Sequence, residues 1–324
     1  NKARHGHPED IVHCMRCNYC IADLAFDPLP WGQSKQFGCA ANPKIARDLM
    51  IARMAKPKAS RNVVVVGGGP AGLNAAITAA ERGHKVTLLE KSDALGGNLK
   101  IMECEPKKHD MVLYRDYLVR QLEKNGVEVR LNTPATKELI ESMRPDAVIC
   151  AVGSNIMIPP LKGIDRNKVL TFMDAFYRPE TLGKDVIIVG GGIVACEAAL
   201  CLADHDPERK IHLIEMRDVL CDPNYVHHYN TMIPVLDKHP QIDYRVSTKC
   251  IAATDTSVTV VKDGVEETLN TESVVFATGL TPNRKLVEEL RDSALDFYPV
   301  GDCVNATIIK NATRAGYFAA MNIL

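Results

Sequence analysis

Val63-Val64-Val65-Val66-Gly67-Gly68-Gly69-Pro70-Ala71-Gly72 and, further along, Val186-Ile187-Ile188-Val189-Gly190-Gly191-Gly192-Ile193-Val194-Ala195 are two copies of one message. A short run of β-branched residues reads as a strand buried on both faces, as in parallel sheets. The glycines that follow allow a tight turn and leave backbone N–H groups uncovered, and the next residues open a helix. Each copy is followed by a second apolar run ending in an acid, Glu90 in the first and Glu215 in the second. One such fingerprint is weak evidence; two in full strand–turn–helix context predict an α/β chain with two Rossmann-like nucleotide-binding domains.

The pattern has a direct chemical reading. Gly67 and Gly69 let the backbone approach a pyrophosphate, Gly72 lets the helix pack on the strand, and the helix N-terminus at Pro70 and Ala71 favours the phosphate charge. Glu90 is placed to accept hydrogen bonds from a ribose, with Lys91 beside it, and Gly96, Gly97 and Asn98 let the chain pass close to a cofactor. Near the end, Gly301-Asp302 follows a short strand, where an aspartate can hold ribityl hydroxyls; this makes the first dinucleotide FAD. In the second copy, Gly190, Gly192, Ile193 and Ala195 form the turn, and Glu215 would bond an adenosine 2′-hydroxyl and repel a 2′-phosphate, which favours NADH over NADPH. Arg217 is open to either reading, a phosphate contact or a surface arginine. Gly153 and Gly279, each closing a short apolar strand, complete the expected cofactor-lining set.

The chain has 324 residues, 46% of them apolar, with a formal net charge of -1. It is long enough for two or three cores, and the balanced charge gives no reason to expect nucleic acid or an anionic membrane. No transmembrane segment or signal peptide is expected, and eleven cysteines, an odd number, fit a reducing cytoplasmic setting better than a disulfide framework. Beginning at Asn1 without methionine, the chain reads as part of a longer polypeptide.

Composition divides it into a cysteine-rich segment at 1–60, a first part of the FAD domain at 61–160, an inserted NAD(P)H domain at 161–268, and a second part of the FAD domain at 269–324. A helix is expected from His109 to Asn125, another over Pro43–Met54, and the return strand Ser273–Ala277 is assigned to the FAD domain. Cys14-x-x-Cys17-x-x-Cys20 with Cys39 is a four-thiolate set with ferredoxin-like close spacing, pointing to an iron–sulfur cluster, with structural zinc as the alternative. Cys104, Cys150, Cys196, Cys201, Cys221, Cys250 and Cys303 read as packing residues. His227 and His228 show no metal-ligand spacing, and no catalytic acid–base dyad is expected, because hydride transfer between cofactors needs geometry rather than a proton donor.

From Asn1 to Leu324 the chain resembles the C-terminal part of the iron–sulfur flavoenzymes grouped with 2,4-dienoyl-CoA reductase, 2-enoate reductase and trimethylamine dehydrogenase. The likeness rests on Cys14-Met15-Arg16-Cys17-Asn18-Tyr19-Cys20, Cys39-Ala40-Ala41-Asn42-Pro43, both glycine fingerprints, Pro145–Ile149 and Gly301-Asp302-Cys303. It implies a 4Fe–4S cluster held by Cys14, Cys17, Cys20 and Cys39, FAD, a nicotinamide nucleotide, and an FMN-bearing TIM barrel or other electron acceptor as partner, with a homo-oligomer expected. The gap from Cys20 to Cys39 is longer than the family pattern, and Phe26–Phe37 is the added stretch. Two rivals remain at this level: a disulfide reductase or NADH oxidase, and a non-catalytic ADP-binding scaffold as in trimethylamine dehydrogenase.

Overall fold

The computed structural model describes residues 2–21, 37–221 and 226–324. Most of the Phe26–Phe37 stretch and the side chains of His227 and His228 lie outside the described residues. The chain divides into two compact units, the first built from Asn1–Asn155 with Thr281–Leu324 and the second from Ile156–Leu280.

Each unit is organised around a five-stranded parallel sheet. In the first the spatial order is Asp296–Pro299, Ala147–Cys150, Asn62–Val66, Lys85–Leu89, Glu128–Arg130. In the second it is Leu170–Thr171, Ser273–Phe276, Asp185–Val189, Lys210–Ile214, Ile242–Arg245. The strand after each fingerprint lies on one side of the fingerprint strand and the return strand on the other, so the two sheets share one topology. Parallel strands covered on both faces explain the unbroken Val63–Val66 run: Val63 and Val65 pack toward the helix Pro70–Glu81, while Val64 and Val66 pack with Ile140, Val287 and Leu290. In the second unit Ile187 and Val189 meet Val258 and Val260 of an antiparallel three-stranded sheet over residues 249–270.

The unit boundary differs from the one expected at residue 268. Ser273–Phe276 pairs in register with Val186–Val189 and belongs to the second sheet, so the second unit runs on to Leu280. The physical reason is local: a fingerprint turn needs a return strand against it, since the Cβ position of Gly190 lies 2.3 Å from Ala277 O, as that of Gly67 lies 2.3 Å from Ala151 O. Residues 1–60 also form no separate unit, because Met15, Ala40 and Ala41 are buried in the core of the first unit with Tyr114 and Leu118. The helix expected over Pro43–Met54 is confined to Asp48–Ala52, and the one expected from His109 runs to Lys124.

In the first unit the helix Pro70–Glu81 is clamped by the C-terminal helix Ile309–Met321. A Cβ on Gly316 would sit 2.0 Å from Ala71 O, so these helices touch through bare backbone. Replacing Gly316 by alanine should force them apart, with a stability loss of about 2–3 kcal/mol; urea unfolding of the variant against the parent chain measures it.

His84 gives a pH signature. Its ring is buried, with Nδ1 accepting from Arg61 N at 3.2 Å, and burial holds its pKa below the ordinary value of 6.5. The unfolded chain then binds the extra proton first, so this contribution to stability is present above pH 6.5 and is lost as pH falls toward the folded-state pKa. The difference in urea midpoint between the parent and His84→Asn should accordingly narrow or invert between pH 7.5 and 5.5.

Candidate cofactor sites

Both fingerprint turns are braced by the acid that follows them. Glu90 Oε2 accepts from Gly68 N at 2.6 Å, and its Oε1 accepts from Ser92 N at 2.9 Å and Ser92 Oγ at 2.7 Å. Glu215 repeats this: Oε2 accepts from Gly191 N at 2.7 Å, and Oε1 from Arg217 N at 2.8 Å and Arg217 Nε at 3.1 Å. The surrounding backbone repeats as well, with Gly67 N on Leu89 O and Gly190 N on Ile214 O, both at 2.8 Å. Both carboxylates are buried, so these bonds offset the desolvation that an unpartnered charge would suffer.

A carboxylate offers about four acceptor positions, and three are filled in each case. One therefore remains on each Oε2, compatible with the ribose contact expected of Glu90 and Glu215. Arg217 lies back on its own glutamate, which places its Nε on a carboxylate and not on a phosphate.

Around the first turn the expected residues come together. Gly67 is left-handed at φ +102°, a conformation that strains any residue with a Cβ. A Cβ on Gly72 would lie 1.9 Å from Gly67 O, which is why helix and turn can approach so closely here. Gly97 crosses directly over Gly69, its Cβ position 2.9 Å from Gly69 Cα, and Gly96 N donates to Gly68 O at 2.8 Å. The Gly301 turn abuts the first helical turn, its Cβ position 2.9 Å from Ala71 Cβ, which brings Asp302 to the same helix end as Pro70 and Ala71. Burial raises the Asp302 carboxyl above its ordinary pKa, opposed by a hydrogen bond from Thr307 N–H. Lys91 and Asn98 are exposed beside this turn, and Gly153, at φ +68°, has open space where a side chain would project.

Around the second turn, Gly190 is left-handed at φ +121°, Gly192 precedes the helix Ile193–His205 with open space at its Cβ position, and Ala195 is fully buried. Gly279 follows the return strand, as Gly153 does in the first unit. The arrangement in each unit is a glycine turn with uncovered amides at a helix N-terminus, flanked by a fixed carboxylate: a cradle for the pyrophosphate and ribose of a dinucleotide.

The profile of the pyridine nucleotide-disulphide oxidoreductase family matches residues 61–297, from the first strand to the last. The chain belongs to that family. Members use an α/β FAD- and NAD-binding fold, so the chain is a flavoprotein oxidoreductase in broad class. It is 33% identical to an NADH oxidase of Thermoanaerobacter brockii over 99% of its length, and 32% identical to a bilirubin reductase of Mediterraneibacter gnavus over 100%. It covers 49% of each, and so spans about half the length of these curated relatives, matching their C-terminal part. Among solved structures, 2-naphthoyl-CoA reductase superposes with a TM-score of 0.89 at 26% identity, over 99% of this chain and 48% of that one. The thioredoxin reductase of Lactococcus lactis shares the fold, with a TM-score of 0.64 over 82% of this chain and 98% of that one.

The cysteine segment belongs to the first unit of this oxidoreductase. Arg16 and Asn18 are left-handed, at φ +51° and +56°, so the chain reverses between successive cysteines. Arg16 N donates to Cys14 Sγ at 3.4 Å. Burial pushes the Cys17 thiol up, and Cys39, Cys20 and Cys14 push it further, so the four sulfurs share one neighbourhood. Among the described residues, no three of these sulfurs lie within 4.8 Å of one another. By donor chemistry, four thiolates suit either an iron–sulfur cluster or a single zinc ion.

Two features escaped the sequence reading. Gly68 and Gly191 occupy variable positions of the fingerprint, yet their amides receive the carboxylates; the triple glycine in both copies was the available signal. Cys196 and Cys221, read as separate packing residues, meet with their sulfurs 3.9 Å apart.

Glu90→Gln tests the brace. An amide presents one NH2 to donors where the carboxylate presents acceptors only, so one buried bond becomes a donor–donor clash. The expected loss is about 1.5–3 kcal/mol in urea unfolding, with retained FAD falling in parallel by flavin-to-protein ratio.

Proposed function

We propose that this chain is an NADH-dependent electron-transfer module in which FAD occupies the first unit, NADH the second, and a 4Fe–4S cluster the Cys14, Cys17, Cys20 and Cys39 set. The observation that carries this reading is the repeated carboxylate-braced glycine turn, two dinucleotide cradles in one chain, and the Cys14, Cys17, Cys20 and Cys39 thiols in the first unit supply the donors for the cluster. FAD, when bound, accepts a hydride, two electrons at once, and can release them singly, which is what links a nicotinamide to an iron–sulfur carrier. In the first unit the residues proposed to hold it are Gly67, Gly69, Pro70, Ala71, Gly72, Glu90, Gly97, Gly153, Gly301 and Asp302. Gly190, Gly192, Ile193, Ala195, Glu215 and Gly279 serve the second.

Each protein group has a definite task. The turn amides fix the pyrophosphate, and the helix N-termini stabilise its charge. Glu215, with one acceptor position left, receives an adenosine ribose hydroxyl and repels a 2′-phosphate, so NADH is preferred to NADPH. Asp302 stands beside the first helix end, where its carboxyl can take hydroxyls of the flavin side chain.

The likeness to a cinnamate reductase of Clostridium sporogenes and to 2-naphthoyl-CoA reductase extends the proposal. A cluster held by these cysteines would hand electrons to an FMN-bearing barrel of the longer protein, which would reduce an activated carbon–carbon double bond such as that of an enoate or enoyl-CoA. The alternative of an ADP-binding scaffold predicts adenine nucleotide without flavin.

An anaerobic visible spectrum of the purified chain, with iron and acid-labile sulfide assayed, distinguishes these before and after adding NADH. Flavin bleaching with loss of the broad cluster absorbance is expected; flavin inert to NADH, or colourless adenine nucleotide, overturns the proposal. Glu215→Ala should weaken NADH use, and an unchanged rate counts against the assignment of that carboxylate.

A further inference from the structure

Cys196 lies in the first turns of the helix that opens at Ile193, its backbone N–H donating to Gly192 O at 3.1 Å. Cys221 lies on the chain that leaves Glu215, and it approaches the same turn from outside: Cys221 N donates to Gly191 O at 2.7 Å. The two sulfurs are 3.9 Å apart, both side chains are fully buried, and Cys196 Sγ also lies 3.8 Å from Gly191 O. Gly191 is thus held on one side by Glu215 and on the other by the cysteine pair. Cys221 is left-handed at φ +62°, an uncommon conformation for a residue with a side chain.

We propose that Cys196 and Cys221 form a redox-modification site in which hydrogen peroxide closes the pair into a disulfide and thereby weakens nicotinamide-nucleotide binding at the Gly190–Ala195 turn. This inference rests on the assignment of that turn to NADH. Cys221 is the attacking group, since its hydrogen bond with Cys196 holds its pKa below the ordinary thiol value while the same bond pushes Cys196 up. Cys221 sulfur attacks one peroxide oxygen, the O–O bond breaks, and a sulfenic acid forms with release of one water. Cys196 sulfur then displaces the sulfenic hydroxyl, which leaves with the Cys196 proton as a second water. The net change is two thiols and one peroxide to one disulfide and two waters, the sulfurs losing the two electrons the peroxide gains. Peroxide is small and uncharged, and Met216, Arg217 and Asp218 beside the pair are exposed, so a local opening of that loop suffices for entry.

The consequence for binding follows from the geometry. A disulfide needs the sulfurs about 2.05 Å apart, roughly half the present separation. Cys196 is fixed in a packed helix, whereas Cys221 lies outside any helix or strand at the end of a stretch whose residues 216–218 are exposed, so the movement falls on the Cys221 side. That movement draws on Gly191 O and shifts the glycine turn against the helix end that receives phosphate.

The test uses the whole chain with its cofactors. It is treated anaerobically with one equivalent of hydrogen peroxide, quenched by alkylation and mapped by mass spectrometry, and NAD+ affinity is measured by calorimetry before treatment, after it, and after dithiothreitol. The expected result is a Cys196–Cys221 linked peptide, a rise in Kd of roughly tenfold, and recovery on reduction. Cys196→Ser and Cys221→Ser chains should lose the linked peptide and the affinity change; these variants retain the cluster, so a change surviving in them would come from cluster damage and overturn the proposal. Absence of the linked peptide overturns it, as does a cross-linked chain that binds NAD+ like the reduced one. A reduced chain that fails to bind NAD+ at all refutes the NADH assignment itself, and is recognised because no oxidation is involved.

Discussion

A buried carboxylate that accepts the amide of a glycine in the turn preceding it is the constraint on which both units depend. The bonds from Gly68 N to Glu90 and from Gly191 N to Glu215 tie the end of the second strand to the turn after the first. Such a charge is tolerated in the interior only with its acceptor positions filled. The filling groups are the backbone N–H of the turn and the backbone N–H and side chain of the residue two beyond the acid, Ser92 or Arg217, so the brace joins the turn to the chain that leaves the second strand. With the turn pinned, its remaining amides point outward, and the helix that follows is set in direction. The nucleotide cradle is the surface left over when the carboxylate has been satisfied.

The two cradles are not equivalent, and one position explains why. Where the first unit has Gly72, whose Cβ position lies 1.9 Å from Gly67 O, the second has Ala195. The first helix therefore sits closer to its turn than the second can. That close approach is extended on the other side of the same helix, where Gly316 and Gly301 face Ala71 without intervening side chains. Two glycines from the end of the chain, Gly301 and Gly316, thus meet the helical turn that holds Gly72 in the first unit, and Asp302 is carried there by Gly301. The second helix end has open space at Gly192 and is flanked instead by sulfur.

Much of this was legible in the residues. Strand, glycine turn, helix and acid recur at matching distances, and periodicity located the helix from His109 and the strand before Gly301 with boundaries off by a residue. What was illegible depended on distances between segments. The strand Ser273–Phe276 is apolar in any α/β unit, and nothing in its composition says which sheet it joins; only the approach of Ala277 O to Gly190 decides it. Gly68 and Gly191 were passed over because the fingerprint reserves meaning for its first, third and sixth positions, while the brace uses the second. Cys196 and Cys221 are 25 residues apart, and their meeting depends on how the loop after Glu215 returns.

Sulfur chemistry in this chain is sorted by spacing and burial rather than by residue type. Cys14, Cys17, Cys20 and Cys39 are partly or fully exposed, and no three of their sulfurs approach within 4.8 Å among the described residues. Cys17 and Cys39 pack against the core that holds Met15 and the buried Tyr114, whose hydroxyl accepts from Asn74 of the first fingerprint helix at 3.2 Å. Cys196 and Cys221 are fully buried at 3.9 Å, with no room for a guest between them and a bond to each other as the chemistry within reach. The two sets therefore stand in different settings: partly or fully exposed thiols in the unit of the first glycine turn, and a buried pair in contact beside the second.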